Sequence, residues 1–155
     1  MIKDMLFDTT FLLPFFGIDL EEINQLTDKA YLMVRKMYFA EISIYEVKFK
    51  LVSLYRKGKI PFELLNDFWR NLSILIDDPK IKFIEYDEQI DKLVNALEKD
   101  DKINLDIIDQ IIVATASKVS VLVTLDNDIL KHKALLREEY GITVYSLEDL
   151  KKLLS

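Results

Sequence analysis

Apolar positions recur along the chain in two periods, and the alternation of those periods predicts an ordered succession of strands and helices. Residues 3–8 end in the run Met5, Leu6, Phe7, too short for a helix and suited to a buried strand. Residues 11–18, with Pro14 and Gly17, read as a very apolar turn or short helix, either core or a surface for a second subunit. From Leu20 the apolar positions Ile23, Leu26, Ala30, Met33 and Val34 keep helical spacing over 20–36. A short strand at 38–42 follows. Residues 43–57 form a helix stopped by Gly58, and Pro61 opens another that runs to about residue 76; the two make an αα-hairpin. After a turn at Asp77, Asp78 and Pro79, residues 81–86 alternate as IKFIEY, a strand. A helix over 87–99, a polar loop over 100–104 and a helix over 106–118 come next. A strand at 119–125, a helix over 127–139, a strand at 142–145 and a last helix from Ser146 complete the pattern.

The stretch DIIDQIIVATASKVSVLVTLDND, residues 106–128, departs most from ordinary patterning. At 100° per residue, Asp106, Asp109, Gln110, Val113 and Ser117 fall on one helical face about 100° wide, with isoleucine and alanine elsewhere. Such a helix is buried on most sides. The β-branched run that follows is nearly continuous in apolar residues, as expected of a central parallel strand, and delivers Asp126 at its carboxyl end. Strands alternating with helices imply an α/β fold, a three-layer α/β/α sandwich around a mostly parallel sheet. The whole span 1–155 reads as one domain without repeats or a long linker. In such sheets functional groups gather beyond the carboxyl ends of the strands, where the pattern puts both Asp8 and Asp126.

Composition narrows the chemistry. The absence of cysteine excludes thiolate catalysis, disulfides and Cys-ligated zinc, and agrees with a cytoplasmic setting. No apolar run approaches the roughly 18 residues of a membrane span, so no membrane role is expected. A formal charge of −6 argues against general affinity for nucleic acid. Residues 48–59, KFKLVSLYRKGK, nevertheless carry five basic and no acidic side chains. Lys48, Lys50, Arg56 and Lys57 are therefore candidates for contacting nucleic acid, against the alternative of a solvated helix face. There is no G-x-S-x-G, Walker A or H-E-x-x-H motif, and three glycines leave no phosphate-cradling loop. The lone His132 reads as a surface residue.

Carboxylates in apolar sequence are costly to bury without compensation, and each acid here has two readings. Asp8, in FDTT, either starts a turn or serves a site; Thr10 stands where a haloacid-dehalogenase-like phosphatase would need a second Asp. Ser43 and Glu46 match a capping box, and Glu46 with Lys50 an i,i+4 pair, yet Glu46 also follows a strand on the side where Asp8 and Asp126 lie. Asp106 and Asp109 are either a polar stripe facing solvent or a pair aimed at one cation. Asp126 and Asp128 either cap the next helix or belong to the same site.

Taken in order, FDTT, the YEV around Glu46, DQIIVATA and LVTLDND resemble the PIN-domain nucleases, including the VapC-like toxins of prokaryotic toxin–antitoxin pairs. The resemblance spans essentially the whole chain. It implies an acidic pocket formed by Asp8, Glu46, Asp109 and Asp126, with Asp128 contributing, that binds Mg²⁺ or Mn²⁺. Within it, Asp8, Asp109, Asp126 and Asp128 would be metal ligands, Glu46 would orient or deprotonate the attacking water, and Thr10, Thr124 and Asp106 would support the pocket. The implied activity is hydrolysis of RNA phosphodiester bonds, the implied partners an RNA substrate, a small protein antitoxin and a second copy in a homodimer. Two features depart from the family: Ile129 replaces a usual aromatic residue, and Glu41 competes with Glu46 for the second acidic position. A non-catalytic PIN-like module that holds RNA or protein, and an unrelated α/β protein whose acids are caps, are the competing readings.

Overall fold

The computed structural model describes residues 2–155. Five strands, β1 (Met5–Phe7), β2 (Met37–Ala40), β3 (Ile81–Ile84), β4 (Val121–Val123) and β5 (Thr143–Tyr145), pair in the order β3-β2-β1-β4-β5. Every pairing is parallel. The order reverses between β1 and β4, where Leu6 stands opposite Leu122 and Phe7 opposite Val123. A crevice opens at such a reversal because the connections leave the two strands toward opposite faces.

Alternation along the strands assigns each side chain to one of two cores. Met5, Phe7, Met37, Phe39, Val121 and Val123 point into one. Leu6, Ala40, Leu122 and Val144 point into the other. On the first face lie α1 (Glu22–Met33), α2 (Glu41–Arg56), α4 (Phe68–Asp77) and α9 (Leu147–Leu154). On the second lie α5 (Glu88–Lys99), α6 (Ile107–Ala116) and α8 (Lys133–Tyr140). The α/β/α sandwich expected from the sequence is thus the architecture observed, with the sheet parallel throughout.

Tertiary packing decides several elements that the sequence pattern left open or misplaced. The apolar stretch after Asp8 forms two 3-10 turns, Thr9–Phe11 and Leu13–Phe16, and Phe11, Leu12 and Phe16 are fully buried; it is core. The helix α2 starts at Glu41 with Ala40 as its cap residue, so Ser43 is not a cap and the capping box does not form. The helix expected from Pro61 divides into α3 (Phe62–Asn66) and α4 at Asp67, and the helix expected over 127–139 into α7 (Asn127–Leu130) and α8. Of the two readings of the polar stripe on α6, the solvent-facing one does not hold for Asp109 and Gln110, which are buried. Gln110 donates to Glu98 at 2.5 Å and to the Leu105 carbonyl at 3.0 Å, which holds α6 against α5; among the described residues its own carbonyl oxygen has no partner. Among the described residues, no helix is long and apolar enough to cross a membrane.

Candidate functional site

The crevice between β1 and β4 collects the acidic residues. Asp8 directly follows β1, and its N–H donates to the Val123 carbonyl at 3.0 Å, which locks it against β4. Its Oδ1 accepts the Thr10 N–H at 3.1 Å and so caps the first 3-10 turn. Its Oδ2 accepts from the Thr124 hydroxyl at 2.6 Å and the Leu125 N–H at 3.0 Å. Three donors therefore hold a carboxylate that is only 8% exposed. Burial pushes its pKa above the usual carboxylate range, and the three donors oppose that shift. Thr124, wholly buried, also accepts the Asp126 N–H at 3.0 Å, so one hydroxyl ties Asp8 to the loop that carries Asp126.

Asp126 caps α7 with Oδ1, accepting the Asp128 N–H at 2.8 Å. Asp106 caps α6 in the same way, accepting the Asp109 N–H at 2.8 Å. Each cap uses one oxygen of its carboxylate. The second oxygen stays available, so the capping and ligand readings of these residues are compatible.

Asp109 projects from the first turn of α6 into the crevice and is 9% exposed. Among the described residues no N–H and no hydroxyl donates to it. Burial, then the charges of Asp126 and Asp106, push its pKa up to about 7. Asp109, Asp126 and Asp128 each offer a carboxylate oxygen, and the three oxygens lie within 4.8 Å of one another. Hard oxygen donors at that spacing, with a net negative charge and one exposed cation from the protein, Lys131 at 3.6 Å from Asp128 Oδ1, fit a divalent cation. Asp8 lines the same cavity of about 270 Å³ but is not one of the three; its oxygens are turned to the protein donors.

Glu46 enters the cavity from α2. Its Oε1 accepts from the Thr9 hydroxyl at 2.5 Å, and Thr9 also bonds Ser43 Oγ at 2.8 Å. Burial pushes its pKa up, the Thr9 hydrogen bond works against that, and the Asp106 charge adds to it. The competing acid is elsewhere: Glu41 faces a neighbouring apolar groove and makes one long contact, 3.5 Å, with the Tyr86 N–H. Thr9 and Ser43 escaped the sequence reading. Their signals were the second hydroxyl in FDTT and the i−3 spacing of Ser43 from Glu46, which sets both on one helical face.

Thr10 lines the cavity beside Asp8. Asp106 is exposed at the rim and acts on Asp109 and Glu46 through its charge. The basic candidates lie outside the cavity, along α2 past Glu46. Lys48 is tied down, over the Phe68 ring at 5.0 Å and to the Leu65 carbonyl at 3.4 Å. Lys50, Arg56 and Lys57 are exposed. His132 accepts the Asn104 N–H at 3.2 Å, a surface contact.

No family model matches the sequence, and no curated protein matches it. Solved structures do share the fold. FitAcB from Neisseria gonorrhoeae aligns at 18% identity over 91% of this chain and 96% of that one, with a TM-score of 0.62. VapBC2 from Rickettsia felis, bound to a DNA fragment from their promoter, aligns at 12% identity over 94% and 98%, TM-score 0.59. VapBC-5 from Mycobacterium tuberculosis, a member of the VapBC family of toxin–antitoxin systems, aligns at 14% over 93% and 98%, TM-score 0.58. The fold is PIN-like, as the resemblance in sequence implied.

Proposed function

We propose that the chain is a divalent-metal-dependent endoribonuclease of the PIN kind, acting as the toxin of a toxin–antitoxin pair. The observation that carries this reading is the convergence of Asp109, Asp126 and the exposed Asp128, with oxygens within 4.8 Å, at a cavity that Asp109 and Asp126 line together with Asp8 and Glu46. A bound Mg²⁺ or Mn²⁺ would supply an activated water and a position for a phosphate oxygen. Asp109, Asp126 and Asp128 would hold the ion, and its charge would favour their ionised forms. Asp8 braces the site: through Thr124 it fixes the loop bearing Asp126, and it adds negative charge beside the ion. Glu46, oriented by Thr9, is the group that orients the attacking water and takes its proton. Its raised pKa suits a general base. Thr10 and Asp106 support the pocket.

RNA is the substrate in this reading, with Lys50, Arg56 and Lys57 drawing the polyanion toward the end of α2. A small protein antitoxin is the partner, in line with the toxin–antitoxin complexes that share the fold. A homodimer is the assembly we propose, and the cytoplasm its location. The experiment is cleavage of single-stranded RNA with and without Mg²⁺ or Mn²⁺. Cleavage should require the metal and fall by about 10³-fold in Asp109→Asn and Asp126→Asn chains that still fold. Cleavage persisting in chelator would overturn the mechanism, and metal binding without cleavage would make the chain a non-catalytic module.

A further inference from the structure

Beside the acidic cavity lies an apolar groove of about 260 Å³ walled by the same two helices. Glu46 of α2 and Ile112 of α6 face the cavity; Tyr45 and Ile111, their immediate neighbours in sequence, face the groove. Because α2 and α6 pack together, the two recesses share a wall one residue thick in sequence. Ile42, Ile84 and Tyr86 complete the apolar lining, and Glu41 supplies a carboxylate.

We infer that this groove is a base-binding subsite for the RNA strand whose phosphate occupies the acidic cavity; the inference rests on the ribonuclease reading above. Three properties of the groove favour a nucleobase. Its volume falls below the roughly 300 Å³ at which pockets for drug-sized ligands begin, which suits one planar base. It presents two aromatic rings, Tyr45 and Tyr86, 59% and 42% exposed. The Tyr86 ring is fixed in advance by its hydroxyl, which donates to Asp91 at 2.6 Å, and stacking on such rings is a sequence-tolerant source of affinity for single strands. The third property is a carboxylate with acceptor capacity to spare, because Glu41 holds only the 3.5 Å contact to the Tyr86 N–H.

That carboxylate sets a preference. Cytosine, adenine and guanine each carry an exocyclic amino group that can donate to it, whereas uracil has carbonyl oxygens in their place. The subsite therefore takes an amino-bearing base and disfavours uridine at one fixed position beside the cut.

The test compares wild type, Tyr45→Ala, Tyr45→Phe and Glu41→Gln on a mixed-sequence single-stranded RNA with Mn²⁺, reading kcat, KM and the nucleotides flanking each cut, with sedimentation run in parallel. Tyr45→Ala should raise KM about tenfold with kcat unchanged, from loss of one stacked base. Tyr45→Phe, which keeps the ring, should stay near wild type. Glu41→Gln, whose amide both donates and accepts, should cut beside uridine as readily as beside other bases. An unchanged KM and cut pattern in Tyr45→Ala and Glu41→Gln overturns the subsite and leaves the ribonuclease reading intact. Dissociation of a dimer by Tyr45→Ala without any change in KM gives the groove to a second copy and overturns the subsite likewise. A wild-type chain that cuts no RNA removes both readings.

Discussion

Asp8 and Asp109 are buried to nearly the same degree, 8% and 9% exposed, and the fold treats them in opposite ways. Asp8 receives three hydrogen bonds, from Thr10, Thr124 and Leu125, which together offset much of its desolvation. Asp109 receives none from any hydroxyl or N–H among the described residues and faces Asp126 instead, whose charge raises its pKa further. A satisfied buried carboxylate is part of the scaffold. An unsatisfied one among like charges stores an electrostatic penalty that a cation can remove. The difference divides the acidic crevice into a braced side, which fixes geometry, and a charged side, which calls for a ligand.

The largest expected effect breaks the charged side. Asp109→Asn or Asp126→Asn removes a ligand worth several kcal/mol of transition-state stabilisation, so metal-dependent RNA cleavage should fall by about 10³-fold in a single-turnover assay. The same Asp109→Asn change should make the metal-free chain more stable at pH 8, by about 1 kcal/mol or more, because it deletes a carboxylate whose pKa is pushed up to about 7. Next comes the group that joins the two sides. Glu46→Gln should cost about 10²-fold in kcat, the usual scale of a general base. Thr9→Val, which frees Glu46 from its 2.5 Å donor, should lower kcat by a smaller factor, leave KM unchanged and move the acidic limb of the pH–rate profile.

A third expectation sharpens the contrast by pH. Between about pH 4 and 7 the folded chain keeps a proton on Asp109 that the unfolded chain has released. Stability of the metal-free protein should therefore be fullest near pH 4 and fall as pH rises through 7. Mn²⁺ should raise the melting temperature more at pH 8 than at pH 5, since ion and proton compete for the same oxygens; equal shifts at both pH values would contradict the assignment. The smallest effect belongs to the braced side. Thr124→Val leaves Asp8 short of one donor in a buried setting and should destabilise the fold by about 1–3 kcal/mol in urea unfolding, with or without metal.

Much of this was legible in the sequence because the signals were local. The short apolar run Met5–Phe7 and the β-branched run ending at Val123 announced buried strands, and acids directly after two strands announced the crevice. Asp126 was legible because it follows a strand at the carboxyl edge of a parallel sheet, and its pairing with Asp109, in the first turn of α6, was implied by the family resemblance. The remainder depended on contacts distant in sequence. Thr9 finds Glu46 across 37 residues, and no local pattern encodes that. The start of α2 was misread because Ser43 and Glu46 satisfy a capping pattern that burial of Ser43 overrides. Glu41 and Glu46 could be told apart only once α6 had packed against α2 to make two recesses out of one.

The central claim, that Asp109, Asp126 and Asp128 form a cation site while Asp8 does not need the ion, is tested most directly by titrating Mn²⁺ into the wild-type and Asp126→Asn chains by calorimetry at pH 8. The account predicts a saturable site in the wild type that is lost or weakened at least tenfold in Asp126→Asn. A wild type that binds no Mn²⁺, or a variant that binds it as tightly as the wild type, would contradict it.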